Sequence, residues 1–205
     1  ITSIEKGGAE NHLSCLVRGQ VKKNKVIVIY LKGKPYWKKY FLGMGVKTIK
    51  LSFKNNNLIE IIKNTFYLKK IFKDFKIDVV HSHLPHMEFY GWLSTLFQKK
   101  IKFVISKHVA NDFFGGSEFV NKSLFAMLLC KIFASRAKKI ISISNTVKKY
   151  FSTGIISISK KKIETIYYGI DKDYINTITN NKKKIFLPKN KLNFGSVGRL
   201  VKQKK

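Results

Sequence analysis

The sequence predicts an α/β fold, a Rossmann-like parallel sheet with helices on both faces, and three observations carry that expectation. Short β-branched runs recur along the 205 residues: "KVIVIYL", "IDVVHSH", "KFVISKH", "KKIISIS" and "KIETIYY". "KVIVIYL" is continuously apolar at its centre, as a strand buried on both faces must be. Stretches of helical length separate them, the spacing that parallel strands need for their crossovers.

The elements follow in order. "GAENHLSCLVRGQ" places Ala9, Leu13, Leu16 and Val17 on one helical face. "KVIVIYL" is a buried strand, and "VKTIKLSF" a shorter alternating one. "LIEIIKNTFYLKKIFKDFK" predicts a long helix with Leu58, Ile61, Ile62, Phe66, Phe72 and Phe75 on a broad inward stripe. The strand "IDVVHSH", a helix around "EFYGWLSTLF" and the strand "KFVISKH" come next. A loop, "VANDFFGGSE", leads to a long helix from Glu118 to about Arg136. "KKIISIS" is then a strand, Asn145 the expected cap of a short helix, and "KIETIYY" a last strand. The polar stretch "NTITNNKKK" breaks this rhythm, and "KLNFGSVG" starts another buried strand. The expected organisation is therefore a domain over 1–172, a linker over 173–190, and the start of a second domain over 191–205. The first domain is expected to lack its opening strand, because "ITSIEKGGAE" begins where such a strand would end.

Composition bounds the function. A formal charge of +30 fits a nucleic acid or an anionic membrane surface. Only three of the 41 basic residues are arginine (Arg18, Arg136 and Arg199), whereas base and phosphate readers favour arginine for its bidentate geometry. A dedicated nucleic-acid role is therefore not expected, and the inner face of a membrane suits scattered lysines better. Cys15 and Cys130 lie in apolar helical patterns without ligand spacing, as reduced core residues of a cytosolic protein would. No uninterrupted apolar run approaches the ~18 residues that a membrane span requires.

Ligands of an open parallel sheet bind where strands end and helices begin, which selects four stretches. "KGGAE" sets Gly7 and Gly8 at a helix start, where backbone amides can approach a phosphate or sugar. "HSHLPH" carries His81, His83 and His86, but Pro85 interrupts the strand and no cysteine or carboxylate lies close enough to complete a zinc site, so cleft-lining or core roles are expected and no metal. "SKHVAND" puts His108 at a strand end and Asp112 in the following loop. "GSVGRLVKQK" places Arg199 and Lys204 where two cations could neutralise a diphosphate leaving group.

In this order the stretches resemble the N-terminal half of a retaining glycosyltransferase of family 4, with the two-domain GT-B architecture. The carriers are "GGAE", "DVVHSHL", "KHVAND", "IISIS", "IYYGID" and "GRLVKQK", which together span essentially the whole chain. The resemblance implies sugar transfer with retention, no bound metal or cofactor, a nucleotide sugar as donor substrate, and a glycan or lipid-linked acceptor held by the N-terminal domain. It implies that Gly7 and Gly8 form a cleft-facing loop, that His108 lies near the transferred sugar, and that Arg199 and Lys204 hold the donor diphosphate. Gly169 and Asp171 match the "NGxD" turn of the family, with Tyr168 in place of the commoner Asn. Lys205 stands where the family pattern has glycine, and the Glu-x7-Glu segment that contacts donor sugar and ribose is not in these residues. The expectation is a truncated enzyme of cell-surface polysaccharide or glycolipid synthesis, inactive as the isolated chain. A basic module binding anionic membrane or nucleic acid without catalysis is the alternative.

Overall fold

The computed structural model describes residues 1–54, 57–110, 124–154 and 156–169, together with Leu192 and Phe194. The chain divides into two units, Ile1–Gly169 and Ile170–Lys205, and the helices and strands described all belong to the first. The strand expected from Leu192 and the start of the long helix at Glu118 lie almost wholly outside the described residues.

After the turn at Gly7, α1 (Gly8–Gln20) leads to β1 (Ile27–Tyr30). The short α2 (Lys38–Gly43), which the sequence pattern did not reveal, precedes β2 (Lys47–Lys50). Then come α3 (Leu58–Asp74), β3 (Val79–His83), α4 (Pro85–Thr95) and β4 (Lys102–Lys107). The described chain closes with α5 (Leu124–Arg136), β5 (Lys139–Ser142), α6 (Asn145–Ser152), a 3-10 turn at Lys160–Lys162, and β6 (Ile163–Thr165). Every pairing among the described strands is parallel: β1 with β2, and β3, β4, β5 and β6 in succession. This is the Rossmann-like α/β architecture that the sequence predicts.

Side-chain alternation in β1 sorts the core. Val28 and Tyr30 pack with Val17 of α1 and Phe41 of α2, while Ile29 and Leu31 turn to the opposite face with Leu68, Ile71 and Phe72 of α3. Further along the sheet, Phe103 and Ile105 of β4 and Ile140 of β5 pack against α5 and α6. Between β1 and β3, which are not hydrogen-bonded to each other, lies a cavity of about 510 Å³. Ile27, Ile29, Val79 and His81 line its walls, with Val17 of α1 and Phe72 of α3 on its two faces. At the end of this cavity the Ile1 amine donates to the Ile29 carbonyl at 2.9 Å, and Ser3 bridges to Lys32 in parallel.

Two expectations are corrected. Asn145 is the first helical residue of α6; the cap is Ser144, whose hydroxyl accepts from the Val147 amide at 3.2 Å. The inward stripe expected on α3 is also wrong in part. Leu58, Ile62 and Phe66 face solvent, and Glu60, Asn64 and Thr65 are buried in their place. These polar groups are satisfied locally, which makes their burial tolerable. Glu60 accepts from the Ser52 hydroxyl and the Lys54 amide, and Asn64 donates to the Ser52 carbonyl at 2.8 Å.

Two devices hold α4 in place. Glu88 and Lys107 form a buried ion pair between α4 and β4. Burial alone would lower the Lys107 ammonium, but the Glu88 carboxylate more than offsets this and holds it above the ordinary lysine range. Arg136, at the end of α5, donates to the carbonyls of Thr95, Gln98 and Ile101. It closes the C-terminus of α4, where cations are favoured.

Candidate active site

Parallel pairing puts the C-terminal ends of β3 and β4 side by side, with His83 in register with Ser106. His108 follows the last residue of β4. Because alternate residues face opposite ways, Lys107 turns toward α4 and Glu88 while His108 turns toward α1. The same alternation sends His81 and His83 to the α1 side and Val80 and Ser82 to the α4 side.

The histidines meet there. His83 Nδ1 and His108 Nε2 share a hydrogen bond of 3.0 Å, and both rings are buried. The other ring nitrogen of His108, Nδ1, is hydrogen-bonded to the Tyr168 hydroxyl. His81 lies beside His83, its ring tilted by 36° and the centroids 4.2 Å apart, and holds the Ser106 hydroxyl at 2.8 Å. His12 of α1 lies flat on the Tyr168 ring, with centroids 4.0 Å apart. Two proton arrangements satisfy this chain. Either Tyr168 donates to His108 and His108 to His83, or both bonds run in reverse.

Burial keeps the group uncharged. It pushes His108 down to about 3 and His81 down to about 4, and it holds His83 well below the usual imidazole range. Each neighbouring imidazolium would oppose the next, which adds to the effect. Desolvation, with the Glu10 carboxylate nearby, raises the Tyr168 hydroxyl to about 12. At neutral pH the cluster is therefore a neutral hydrogen-bonding array that can orient a polar ligand without adding charge.

The glycine turn borders it on α1. Gly7 is the extended N-cap residue of the helix, and its carbonyl accepts from the Asn11 amide at 2.9 Å. A Cβ on Gly7 would run into the Glu10 carboxylate, whereas one on Gly8 would meet nothing within 4 Å. Gly8 thus leaves a backbone surface open at the positive end of a helix, suited to a close polar approach. At the end of β3, Leu84 holds φ 71° and ψ 148°, a conformation that is costly outside glycine. Pro85 follows it as the first residue of α4, so the proline starts that helix and turns His86 away from the other histidines. His86 sits instead against Phe53, with ring centroids 6.0 Å apart.

Of the residues singled out in the sequence, the structure brings together His81, His83 and His108, with Gly7, Gly8 and Gly169 on the segments that carry His12 and Tyr168. Asp112, Asp171, Arg199 and Lys204 lie outside the described residues. His12 and Tyr168 are members of the cluster that sequence reasoning missed as site residues. The signal for His12 was present, since it shares the 9, 12, 13, 16 spacing of the inward face of α1. Tyr168 was legible as the residue that departs from the family turn in "IYYGID", but nothing in that irregular segment, 60 residues beyond His108, tells that it returns to the histidine.

Solved structures share this architecture. A glycosyltransferase from Rickettsia africae matches with a TM-score of 0.62 at 18% identity, covering 86% of this chain and 43% of the other. The lipopolysaccharide outer core galactosyltransferase WaaB, in its apo form, matches at 0.58 and 13% identity, covering 81% and 43%. Anabaena Alr3699/HepE, solved in complex with UDP and glucose, matches at 0.63 and 12% identity, covering 88% and 48%. The chain therefore spans less than half the length of each of these neighbours, and at such identities the likeness is one of fold. A search of curated proteins returns no match. The family model for Glycosyltransferase Family 4 matches residues 6–174, most of the chain. The chain belongs to glycosyltransferase family 4.

Proposed function

We propose that this chain is the acceptor-side part of a retaining glycosyltransferase, moving a sugar from a nucleotide-sugar donor to a glycan or lipid-linked acceptor of the cell surface. The observation that carries the reading is the neutral array of His83, His108 and Tyr168 beside the glycine turn of α1, at the C-terminal ends of β3 and β4. In the transfer, the bond between the anomeric carbon and the diphosphate oxygen breaks as the acceptor oxygen bonds to the same face. The acceptor proton passes to the departing phosphate oxygen. His108 would orient a hydroxyl of the transferred sugar, for which one of its two ring nitrogens must change partner. Arg199 and Lys204 would neutralise the diphosphate, and Asp112, Gly169 and Asp171 would line the cleft. The nucleotide sugar is a substrate, and the reading calls for no resident metal or cofactor.

Catalysis needs both substrates enclosed together, so the 205-residue chain alone is expected to transfer negligibly. The test uses radiolabelled UDP-, GDP- and ADP-sugars with glycan and lipid-linked acceptors. Transfer is measured for the chain alone and for the chain fused after Lys205 to a family 4 donor-binding domain. The expected result is turnover by the fusion only, an α-linked product from an α-linked donor by NMR, and loss of at least tenfold on His108→Ala. Turnover by the chain alone, an inverted product, or an unaffected His108→Ala fusion would each overturn part of the reading. A location at the inner membrane face belongs to the same proposal. It accords with the +30 charge, and no helix among the described residues is long and apolar enough to cross a membrane.

A further inference from the structure

α3 has an outer face of a kind that water does not favour. Nine of its residues are exposed, and five of these (Leu58, Ile59, Ile62, Phe66 and Tyr67) are aliphatic or aromatic. Leu58 is 70%, Ile59 62% and Phe66 67% exposed. At about 100° per residue, Leu58, Ile62, Phe66 and Ile59 fall within about 100° of one another, so they form one stripe along the first turns. Lys63 lies beside the stripe, and Lys70 and Lys73 continue it one turn further on, with Asp74 at its edge. The Lys69 ammonium lies 5.8 Å from the centre of the Phe66 ring. The opposite face of the helix is seated on the core through Leu68, Ile71 and Phe72.

We propose that this face of α3 docks on an anionic lipid bilayer, with Ile59, Ile62 and Phe66 inserted at the headgroup boundary and Lys63, Lys70 and Lys73 on the lipid phosphates. A helix with an apolar midline and lysines around it is what an interfacial helix requires. The lysine stems lie along apolar surface while their ammonium groups reach the phosphates. Each lysine at such a surface is worth roughly fivefold in partitioning. A protein partner fits less well, because lysine is depleted where protein interfaces are driest. The stripe begins shortly after β2, at the same C-terminal edge of the strands as the histidine array, so a bilayer docked along α3 would reach that edge at the Leu58 end, where the transfer reading puts a lipid-linked acceptor. Only that last step, a lipid-linked rather than a soluble acceptor, rests on the transfer reading.

The test is sedimentation of the 205-residue chain with phosphatidylglycerol vesicles and with phosphatidylcholine vesicles over a salt series, without donor or acceptor. Binding is expected on the anionic vesicles alone. An Ile59→Ser/Phe66→Ser variant should lose about tenfold or more. Changing Lys63, Lys70 and Lys73 to Gln should cost much more than the same change at Lys22, Lys23 and Lys25, which are exposed on the turn between α1 and β1. A Phe66→Trp variant, whose emission should shift to the blue on anionic vesicles, reads insertion directly and does not depend on the serine variants folding. Undiminished binding by the serine variant, equal losses in the two glutamine variants, or no blue shift would overturn the proposal. So would a self-associated chain that dissociates on Phe66→Ser, since a second copy would then cover the face. Failure here with transfer to soluble glycans intact would leave the enzymatic reading standing.

Discussion

His108 has both ring nitrogens engaged inside the protein, one by His83 and one by Tyr168, and its burial there sets its pH behaviour. Folded, His81 and His108 protonate only near pH 4 and pH 3, because burial opposes their charge. Unfolded, the same side chains protonate near their ordinary value of about 6.5. Below that value the unfolded chain binds more protons than the folded one, so stability falls as the solution is acidified. The loss should begin near pH 6.5 and be complete by about pH 3 to 4, at roughly 3 kcal/mol for a single histidine displaced as far as His81. Urea unfolding at pH 7.5, 5.5 and 4.5 measures it, and a midpoint that does not move across this range would contradict the array as described. The sequence supplied His83 and His108 because strand ends can be read from β-branched runs. Tyr168 was legible only as a residue of the "IYYGID" turn, because its segment has no periodicity and only the packed fold says that it returns to His108.

Among the elements, α4 shows how close packing is made possible by one small residue. Gly91 faces Ser82 of β3 and Phe103 of β4, and a Cβ there would collide with the Ser82 hydroxyl and the Phe103 ring. Both neighbours are buried and cannot move aside freely. Gly91→Ala is therefore expected to destabilise the protein by about 1–3 kcal/mol, despite the ~1 kcal/mol that alanine gains over glycine in a helix. Gly8→Ala is the matched control, since its Cβ meets open space and its stability should not fall. Thermal melting of both variants decides the matter, and a Gly91→Ala protein as stable as the parent would show that α4 shifts without cost. That a helix lay here was legible from its apolar run. That its first residue was Pro85, and that α3 would bury Glu60 and Asn64 rather than Ile62 and Phe66, was not. α3 carries apolar residues almost all round, so periodicity alone cannot choose its inner face. The choice is settled by partners on other segments, Ser52 and Lys54 for Glu60 and Ser52 and Tyr90 for Asn64.

At the scale of the whole first unit, the parallel sheet is interrupted between β1 and β3, and a cavity of about 510 Å³ lies between the two strands. Val28 on one side of β1 and Ile29 on the other belong to different core clusters, as they must where helices cover both faces. The Ile1 amine already bonds the Ile29 carbonyl, and the Thr2 carbonyl accepts from the Leu31 and Lys32 amides, so the segment enters the gap in parallel register with β1. β2 is paired on one side only, whereas β4 and β5 are paired on both, so the β1–β2 sheet should exchange its amide hydrogens faster than β4 and β5. Five β-branched apolar residues added ahead of Ile1 would extend this register into the cavity and pair with β1 and β3 together. Each buried side chain of that kind contributes about 1.5–3 kcal/mol before the entropy of ordering it is subtracted. For a protein of this size even 2 kcal/mol net corresponds to a rise in Tm of roughly 4–8 °C. The expected outcome is that rise, with slower hydrogen exchange in both β1 and β3, while a polar extension of equal length leaves both unchanged. An apolar extension that raised neither quantity would show that the gap closes by relaxation of β1 toward β3, and that it is not held open as a strand-shaped slot.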